Sequence, residues 1–471
     1  MSEGTLATVP FSVIDQAVHL LDVQTAPWSI QLEVRVHGHL GEARLRAALA
    51  EAMTRHPMAR ARKRPSRLRA RMDNWDIAPT FALDPLRVAD CPDDESLAVT
   101  RGELQGMAVP LTESPPFRAV LARNGDGDIL MLNVNHAAMD GFGALRVLRS
   151  IACAYNGTAD PMPDLDFEAS RNMLSELAGR RLSARIRRQM ALATRLRDLL
   201  VPPARIARDG AADEAGYGFV HSRLSAEQTK ALVQGRSAAG SGPADRLATV
   251  NDVLVAALHL TIAEWNTQHR ISCRRIGVLV PANMRPPEWR EEMVGNFSLP
   301  ARISTSCRNR RRATATLAAV AAQTRRKKQV GMGTAFIELL GRTRLLPLWA
   351  KRLLVLALPL TGNRLVDTAM LSNVGRLDNL PSFDDGLGAG QVDELWFSPP
   401  ARMPLGLTVG AATVAGRLHL VLRFRYRLFD QAAAIRFADL YQRKLHAFGA
   451  PPATPPPTTL AIQETVAVGG S

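Results

Sequence analysis

The run Val134-Asn135-His136-Ala137-Ala138-Met139-Asp140-Gly141-Phe142-Gly143 holds the residue types in this chain best suited to doing chemistry. It lies where an apolar alternating stretch ends and a helical pattern begins. A side chain at such a junction leaves the strand and can face a cleft. An imidazole placed there is the natural general base near neutral pH. Gly141 and Gly143 permit a tight backbone path behind it. Asp140 is expected to hold the loop, through a salt bridge or backbone hydrogen bonds, rather than to take a proton. A bare HxxxD pattern is short, and taken alone it would describe an ordinary loop with a structural His and Asp. Here the preceding hairpin, the two glycines and the following helix all agree with a built site. The chain has no GxSxG elbow for a nucleophilic serine. Its 4 cysteines, Cys91, Cys153, Cys273 and Cys307, form no CxxC pair. A disulfide scaffold and a metal site are therefore not expected, and a reducing cytoplasm suits the cysteine usage.

Several patterned segments must position that run. Ile30 to Val36 alternates as a strand, and Gly41 to Arg55 follows with helical spacing through Leu45, Ala48, Leu49 and Met53. Phe117 to Ala122 and Ile129 to Asn135 are two strands around Asn124-Gly125-Asp126-Gly127-Asp128, a hairpin signal. Ala144 to Tyr155 is the helix after the motif. Between Asp160 and Tyr217 the character changes: Pro161, Pro163, a basic helix and Pro202-Pro203 suggest a long crossover. The second half starts near Gly218, with Val220 to Leu224 and Ile276 to Val280 as strands and Val250 to Trp265 as a helix. Val409 to Val414 and Leu418 to Tyr426 pair around Ala415-Gly416-Arg417, and Asp430 to Phe448 closes as a helix. The expected organisation is a first unit over 1–165 carrying the motif, a basic crossover over 166–217, a second unit over 218–450 and a disordered tail over 451–471.

At 471 residues, with 46% hydrophobic and 22% charged, the chain can bury a large core and is far from a disordered composition. Lys+Arg 59 against Asp+Glu 44 leaves a net charge of +15. With aromatics at 5% and no helix-turn-helix, zinc finger or RNA-binding signature, nucleic acid is not the expected partner. Basic residues cluster from Arg180 to Arg208 and from Arg308 to Lys328, both in helical patterns. A solvated face explains most such charge, and an anionic surface or ligand is the sharper alternative. No secretory leader and no spanning helix are expected. The nearest to a span, Leu345 to Leu360, is interrupted by Lys351 and Arg352 and suits a buried or interfacial helix.

At the motif the chain resembles the condensation-domain superfamily, which includes chloramphenicol acetyltransferase, plant BAHD acyltransferases, non-ribosomal peptide condensation domains, wax ester synthase/diacylglycerol acyltransferases and polyketide-associated acyltransferases. The signature HHxxxDG is NHAAMDG here, with Asn135 in place of the first histidine. Further resemblances follow in the family's order. They are Phe11-Ser12-Val13-Ile14-Asp15, Arg55-His56-Pro57-Met58-Ala59-Arg60, Thr249 to Leu254, Pro281-Ala282-Asn283-Met284-Arg285-Pro286, Val294-Gly295-Asn296-Phe297 and Leu371-Ser372-Asn373-Val374-Gly375. The DFGWG box of the plant branch is absent, and the motifs are most similar to the wax ester synthase and polyketide-associated branches.

The resemblance implies an α/β fold of mixed sheets in two chloramphenicol acetyltransferase-like lobes, a V-shaped pseudo-dimer with a central tunnel. It implies that His136 takes a proton from an acceptor alcohol or amine, with Asp140 and Gly141 in structural support and Asn135 beside them. For Asp140 it suggests an arginine partner, Arg60 first and Arg285 second. Ser372, Asn373 and Asn296 would stand near the oxyanion or tunnel, and capping a strand end is an equal reading of the Ser372-Asn373 pair. No bound cofactor is implied. The co-substrate would be acyl-CoA or a phosphopantetheinyl thioester on an acyl carrier protein. Ester formation is the first expectation. A stand-alone amide-forming condensation enzyme and a catalytically silent scaffold are the alternatives. His19 and His56 are read as packing residues and His259 as structural. Peripheral membrane contact is a further expectation, from Arg on the apolar-rich segments Arg180 to Leu200 and Gly341 to Leu360.

Overall fold

The computed structural model describes residues 7–23, 26–67, 69–79, 83–162, 167, 170, 201–210, 212, 216–235, 248–330, 340–361, 364–377, 382–383 and 390–449. Most of the expected crossover, including 171–200 of the basic stretch, and the tail from 451 lie outside these residues.

In chain order the described elements of the first half are β1 (Ala7–Pro10), α1 (Val13–Leu21), β2 (Ser29–Val36), α2 (Glu42–Arg55), β3 (Ala61–Lys63), β4 (Asn74–Ile77), β5 (Leu86–Asp90), α3 (Asp94–Gly106), β6 (Phe117–Arg123), β7 (Ile129–Asn135) and α4 (Gly141–Asn156). Those of the second half are β8 (Tyr217–Leu224), α5 (Ala226–Gly235), α6 (Val250–Gln268), β9 (Arg275–Asn283), β10 (Ser298–Ser306), α7 (Ala313–Val330), α8 (Leu348–Leu356), β11 (Ala369–Arg376), β12 (Val392–Ser398), β13 (Leu407–Val414), β14 (Arg417–Arg425) and α9 (Gln431–Gly449).

Local chemistry explains the element starts. Ser12 and Asp15 form a reciprocal capping box on α1, and Thr249 and Asp252 do the same on α6. Gly157 ends α4 at φ 65°, a left-handed cap that glycine takes without a Cβ penalty. The hairpin is present: β6 and β7 pair antiparallel, with Ala122 opposite Ile129.

Two large mixed sheets organise the chain, as the expected fold class requires. One has the order β12-β2-β7-β6-β5 and the other β10-β9-β11-β13-β14-β8. β5 and β6 run parallel, as do β9, β11 and β13. A three-stranded sheet, β1-β4-β3, stands beside them. Each large sheet has its own buried apolar cluster. One is built on Leu32, Leu132, Leu49 and Leu148, the other on Val278, Val409, Leu258 and Phe437.

One strand crosses between the halves. β12 belongs to the second half by sequence, yet it pairs antiparallel with β2, Trp396 opposite Glu33. A single cut in the sequence therefore does not separate the two sheets. Alternation alone cannot show this, because an edge strand pairs with whichever edge tertiary folding brings to it.

Candidate active site

β7 is buried along its whole length, and its last residue, Asn135, lies opposite Ser29 of β2. The next residue leaves the sheet. The His136 amide donates to the Trp28 carbonyl at 3.1 Å, and the Ala138 amide turns back to the Asn135 carbonyl at 3.1 Å. The Asn135 side chain holds this turn with every polar atom it has. Its Nδ2 donates to Asp22 Oδ2 and to the Val109 carbonyl, both at 2.9 Å, and its Oδ1 accepts from the Ala137 amide at 3.0 Å. An asparagine fits here because it offers two donors and one acceptor at short reach.

Asp140 is the N-cap of α4: its Oδ1 accepts from the Gly143 amide at 3.0 Å. The same carboxylate takes both terminal nitrogens of Arg285, Nη2 to Oδ1 and Nη1 to Oδ2, each at 2.8 Å. The Phe297 amide and the Ser298 hydroxyl also donate to Oδ2, both at 2.9 Å. Arg285 in turn donates to the carbonyls of Met293 and Gly295 at 3.0 Å and stacks over the Phe297 ring at 4.6 Å. Both side chains are essentially inaccessible, 1% and 0% exposed. Burial pushes the Asp140 carboxyl up, but the Arg285 charge and its hydrogen bonds, with the amides of Gly143 and Phe297, outweigh it and hold the pKa below the usual range. The loop after β7 is thus clamped to β10 and the segment before it, elements of the other sheet.

Arg285, not Arg60, is the partner of Asp140. Arg60 donates instead to the carbonyls of Ala78 and Pro79, at 3.0 and 2.8 Å, tying the turn after α2 to the end of β4. The sequence favours Arg60 because it ends the matched Arg55 to Arg60 segment, whereas the pairing spans 145 residues and depends on how the two sheets meet.

His136 stands on this clamped loop. Its carbonyl accepts from Asn296 Nδ2 at 2.9 Å, so the second half also fixes its backbone. Burial lowers the pKa of the imidazole, and the Asp140 charge and nearby backbone carbonyls only partly offset this. The ring is therefore neutral at pH 7 and able to accept a proton. Among the described residues its buried Nδ1 makes no hydrogen bond.

The glycines serve close approach. A Cβ on Gly141 would lie 2.9 Å from the Phe397 ring of β12, and one on Gly143 would lie 3.2 Å from the backbone of Gly295. Sequence reasoning included Gly141 and Gly143 but missed the part that Gly295, Phe297, Ser298 and Phe397 play in building the site. The Val294 to Phe297 motif was the available signal for some of these. Nothing in the spacing marked Phe397.

Ser372 and Asn373 lie on β11 and are partly buried. Asn373 Oδ1 accepts from the Gly375 amide at 2.8 Å, beside a register shift in the strand. That is the local, strand-end role, and among the described residues neither side chain is recorded bonding to His136 or Asp140. Their neighbour Val374 does reach the site, 3.4 Å from the Cβ position of Gly141. His56 and His259 are structural. His56 bonds Ser150 Oγ at 2.8 Å and His259 bonds Thr305 Oγ1 at 2.9 Å, and burial lowers each to about 3. Among the described residues no group of three or more His, Cys, Asp or Glu is arranged to hold a metal.

The family model for the Condensation domain matches residues 16–334. The uncharacterized protein Rv2305 of Mycobacterium tuberculosis is 35% identical over 443 residues, covering 93% of this chain and 99% of that protein. Among solved structures, the first condensation domain of the calcium-dependent antibiotic synthetase, in complex with a substrate analogue, superposes with TM-score 0.71 at 14% identity, over 96% of this chain and 98% of that one. SgcC5 of Streptomyces globisporus, in complex with (R)-(-)-1-(2-naphthyl)-1,2-ethanediol and sucrose, gives TM-score 0.65 at 18% identity, over 94% and 98%. The epimerization domain from the third module of tyrocidine synthetase B gives 0.65 at 13% identity, over 95% and 99%. At these identities the structures establish a shared fold.

Proposed function

The chain belongs to the Condensation domain family, and from that premise we propose that it transfers an acyl group from a CoA or carrier-protein thioester to an acceptor hydroxyl, with His136 as general base. The observation that carries this reading is a neutral imidazole at the end of a buried strand, on a loop that Asp140, Arg285 and Asn296 clamp to the opposite sheet. Such a group is rigid and ready to accept a proton, as base catalysis requires.

In the proposed step, His136 Nε2 takes the proton of the acceptor hydroxyl as its oxygen bonds to the thioester carbonyl carbon. The tetrahedral adduct then expels the sulfur by breaking the C–S bond, and the proton on His136 leaves with the thiol. No acyl-enzyme forms. Base catalysis of this kind contributes about 10²–10⁴-fold, and positioning must supply much of the rest. A hydroxyl acceptor is supported by the diol bound to SgcC5, which shares the fold. Neighbours from antibiotic and peptide synthetases favour a second reading, in which the acceptor is an amine and the donor is held on a carrier protein. A catalytically silent scaffold finds little support in Asn135, because that side chain holds the loop and leaves His136 in place.

The test is to mix the purified chain with a panel of acyl-CoA and acyl-pantetheinyl carrier thioesters, with and without candidate alcohols and amines. Thiol release is followed and products are identified by mass spectrometry. Alcohol-dependent thiol release and an ester, both lost in His136→Ala, are expected. An amide only would select the second reading, and no acceptor-dependent release with any pair would leave the scaffold.

A further inference from the structure

Helix α8 reverses the usual arrangement of a surface helix, which turns its polar face to water. Its inward positions include Leu348 and Lys351, 5% and 4% exposed, with Lys351 Nζ donating to the Arg71 carbonyl. Its outward positions are Trp349, Leu353, Leu354 and Leu356, exposed by 54%, 55%, 52% and 70%. The flanking turns add Leu345 at 73% and Leu360 at 88%. A lone exposed leucine needs no explanation. Six large apolar side chains, each more than half exposed, on one element fixed to the molecule do. The fixing is specific: the Leu348 amide donates to the Ala70 carbonyl at 2.9 Å, and α8 packs against α1.

The charge along this segment has one sign. From Arg342 to Val366 the chain contains no acid, and Arg342, Arg344, Arg352 and Arg364 are all exposed. Arg352 lies three residues after Trp349 and four before Leu356, within the apolar face itself. Leucines that insert, a tryptophan at their edge and arginines around them match a bilayer surface carrying anionic headgroups. We infer that α8 and its flanking turns dock this protein on an anionic lipid membrane. Helix α1, on which α8 rests, ends beside Asp22, the residue that receives the Asn135 amide at 2.9 Å. The docking face thus rests on the helix that leads to the His136 loop, and its function does not depend on the chemistry assigned to that histidine.

Flotation of the full chain tests this, with vesicles of phosphatidylcholine alone and of an equimolar phosphatidylcholine and phosphatidylglycerol mixture. The wild type should float with the mixed vesicles at low salt and largely lose this at high salt. Leu353→Glu combined with Leu356→Glu should cut the bound fraction about tenfold or more, with an unchanged thermal melt. Arg344→Glu with Arg352→Glu should weaken binding to the mixed vesicles while leaving the leucines in place. Wild-type protein that stays unbound with mixed vesicles, or leucine variants that float equally well, would overturn the inference. So would a wild-type dimer in sedimentation that the leucine variants convert to monomer without any vesicle binding, since a second copy would then be what covers the face.

Discussion

The contact between Asp140 and Arg285 ties the His136 loop to the other sheet, and its removal yields the most decisive measurement. Both side chains are fully buried, and the carboxylate accepts from Arg285 Nη1 and Nη2, the amides of Gly143 and Phe297 and the Ser298 hydroxyl. Asp140→Asn removes the charge and points an amide NH₂ at a site lined by donors. Arg285→Met leaves the carboxylate buried with three neutral donors. Deleting one side of a buried pair costs about 3–5 kcal/mol, a large part of the roughly 5–15 kcal/mol that keeps a typical domain folded. Because the pair acts as a unit, the double variant should be less destabilised than the two single costs predict, by about 1–3 kcal/mol. The pH dependence has a definite sign. The folded pKa of Asp140 is depressed, so its contribution is complete above the unfolded carboxyl value of about 3.9. It is lost as pH falls through the lower folded value. Urea midpoints for the four proteins of the cycle, repeated from neutral pH downward, measure all of this. Additive single effects, or an Asp140→Asn protein of wild-type stability with no turnover, would refute the structural role.

Other outcomes follow from the same geometry. His136→Ala should abolish transfer with little change in thermal midpoint, and near wild-type turnover would sink the catalytic assignment. Because burial lowers the His136 pKa, kcat/KM of the wild type should rise with pH with a midpoint below the unperturbed histidine value of about 6.5. Gly143→Ala should cost about 1–3 kcal/mol, because its Cβ would crowd the Gly295 backbone, and thermal unfolding measures it. Asn296→Leu should lower kcat more than stability by freeing the His136 carbonyl, as steady-state kinetics beside a melt would show.

Much of the site was legible because its parts are local. The strand-to-helix junction, the capping aspartate and the glycines lie within ten consecutive residues, and the hairpin turn before them is written in adjacent Asn, Gly and Asp. The same holds for α6, whose capping box and apolar run are contiguous. The rest was not legible, for different reasons. Arg60 and Arg285 are both arginines at the ends of matched segments, and nothing local distinguishes a guanidinium that reaches Asp140 from one that ties down the carbonyls of Ala78 and Pro79. The helix at Leu348 has the composition of a core element, and periodicity cannot say that Leu353, Leu354 and Leu356 face out while Lys351 faces in.

By itself the sequence determined the elements, the position of a histidine at a strand end and the family to which the motif order belongs. These depend on interactions between neighbours in the chain: capping, alternation and turn chemistry. Only the tertiary structure decided that β12 completes the first sheet, that Phe397 and Gly295 press against the motif glycines, and that Arg285 closes on Asp140. Those contacts join residues more than a hundred positions apart. They follow from how two packed sheets meet, which no short stretch of residues encodes.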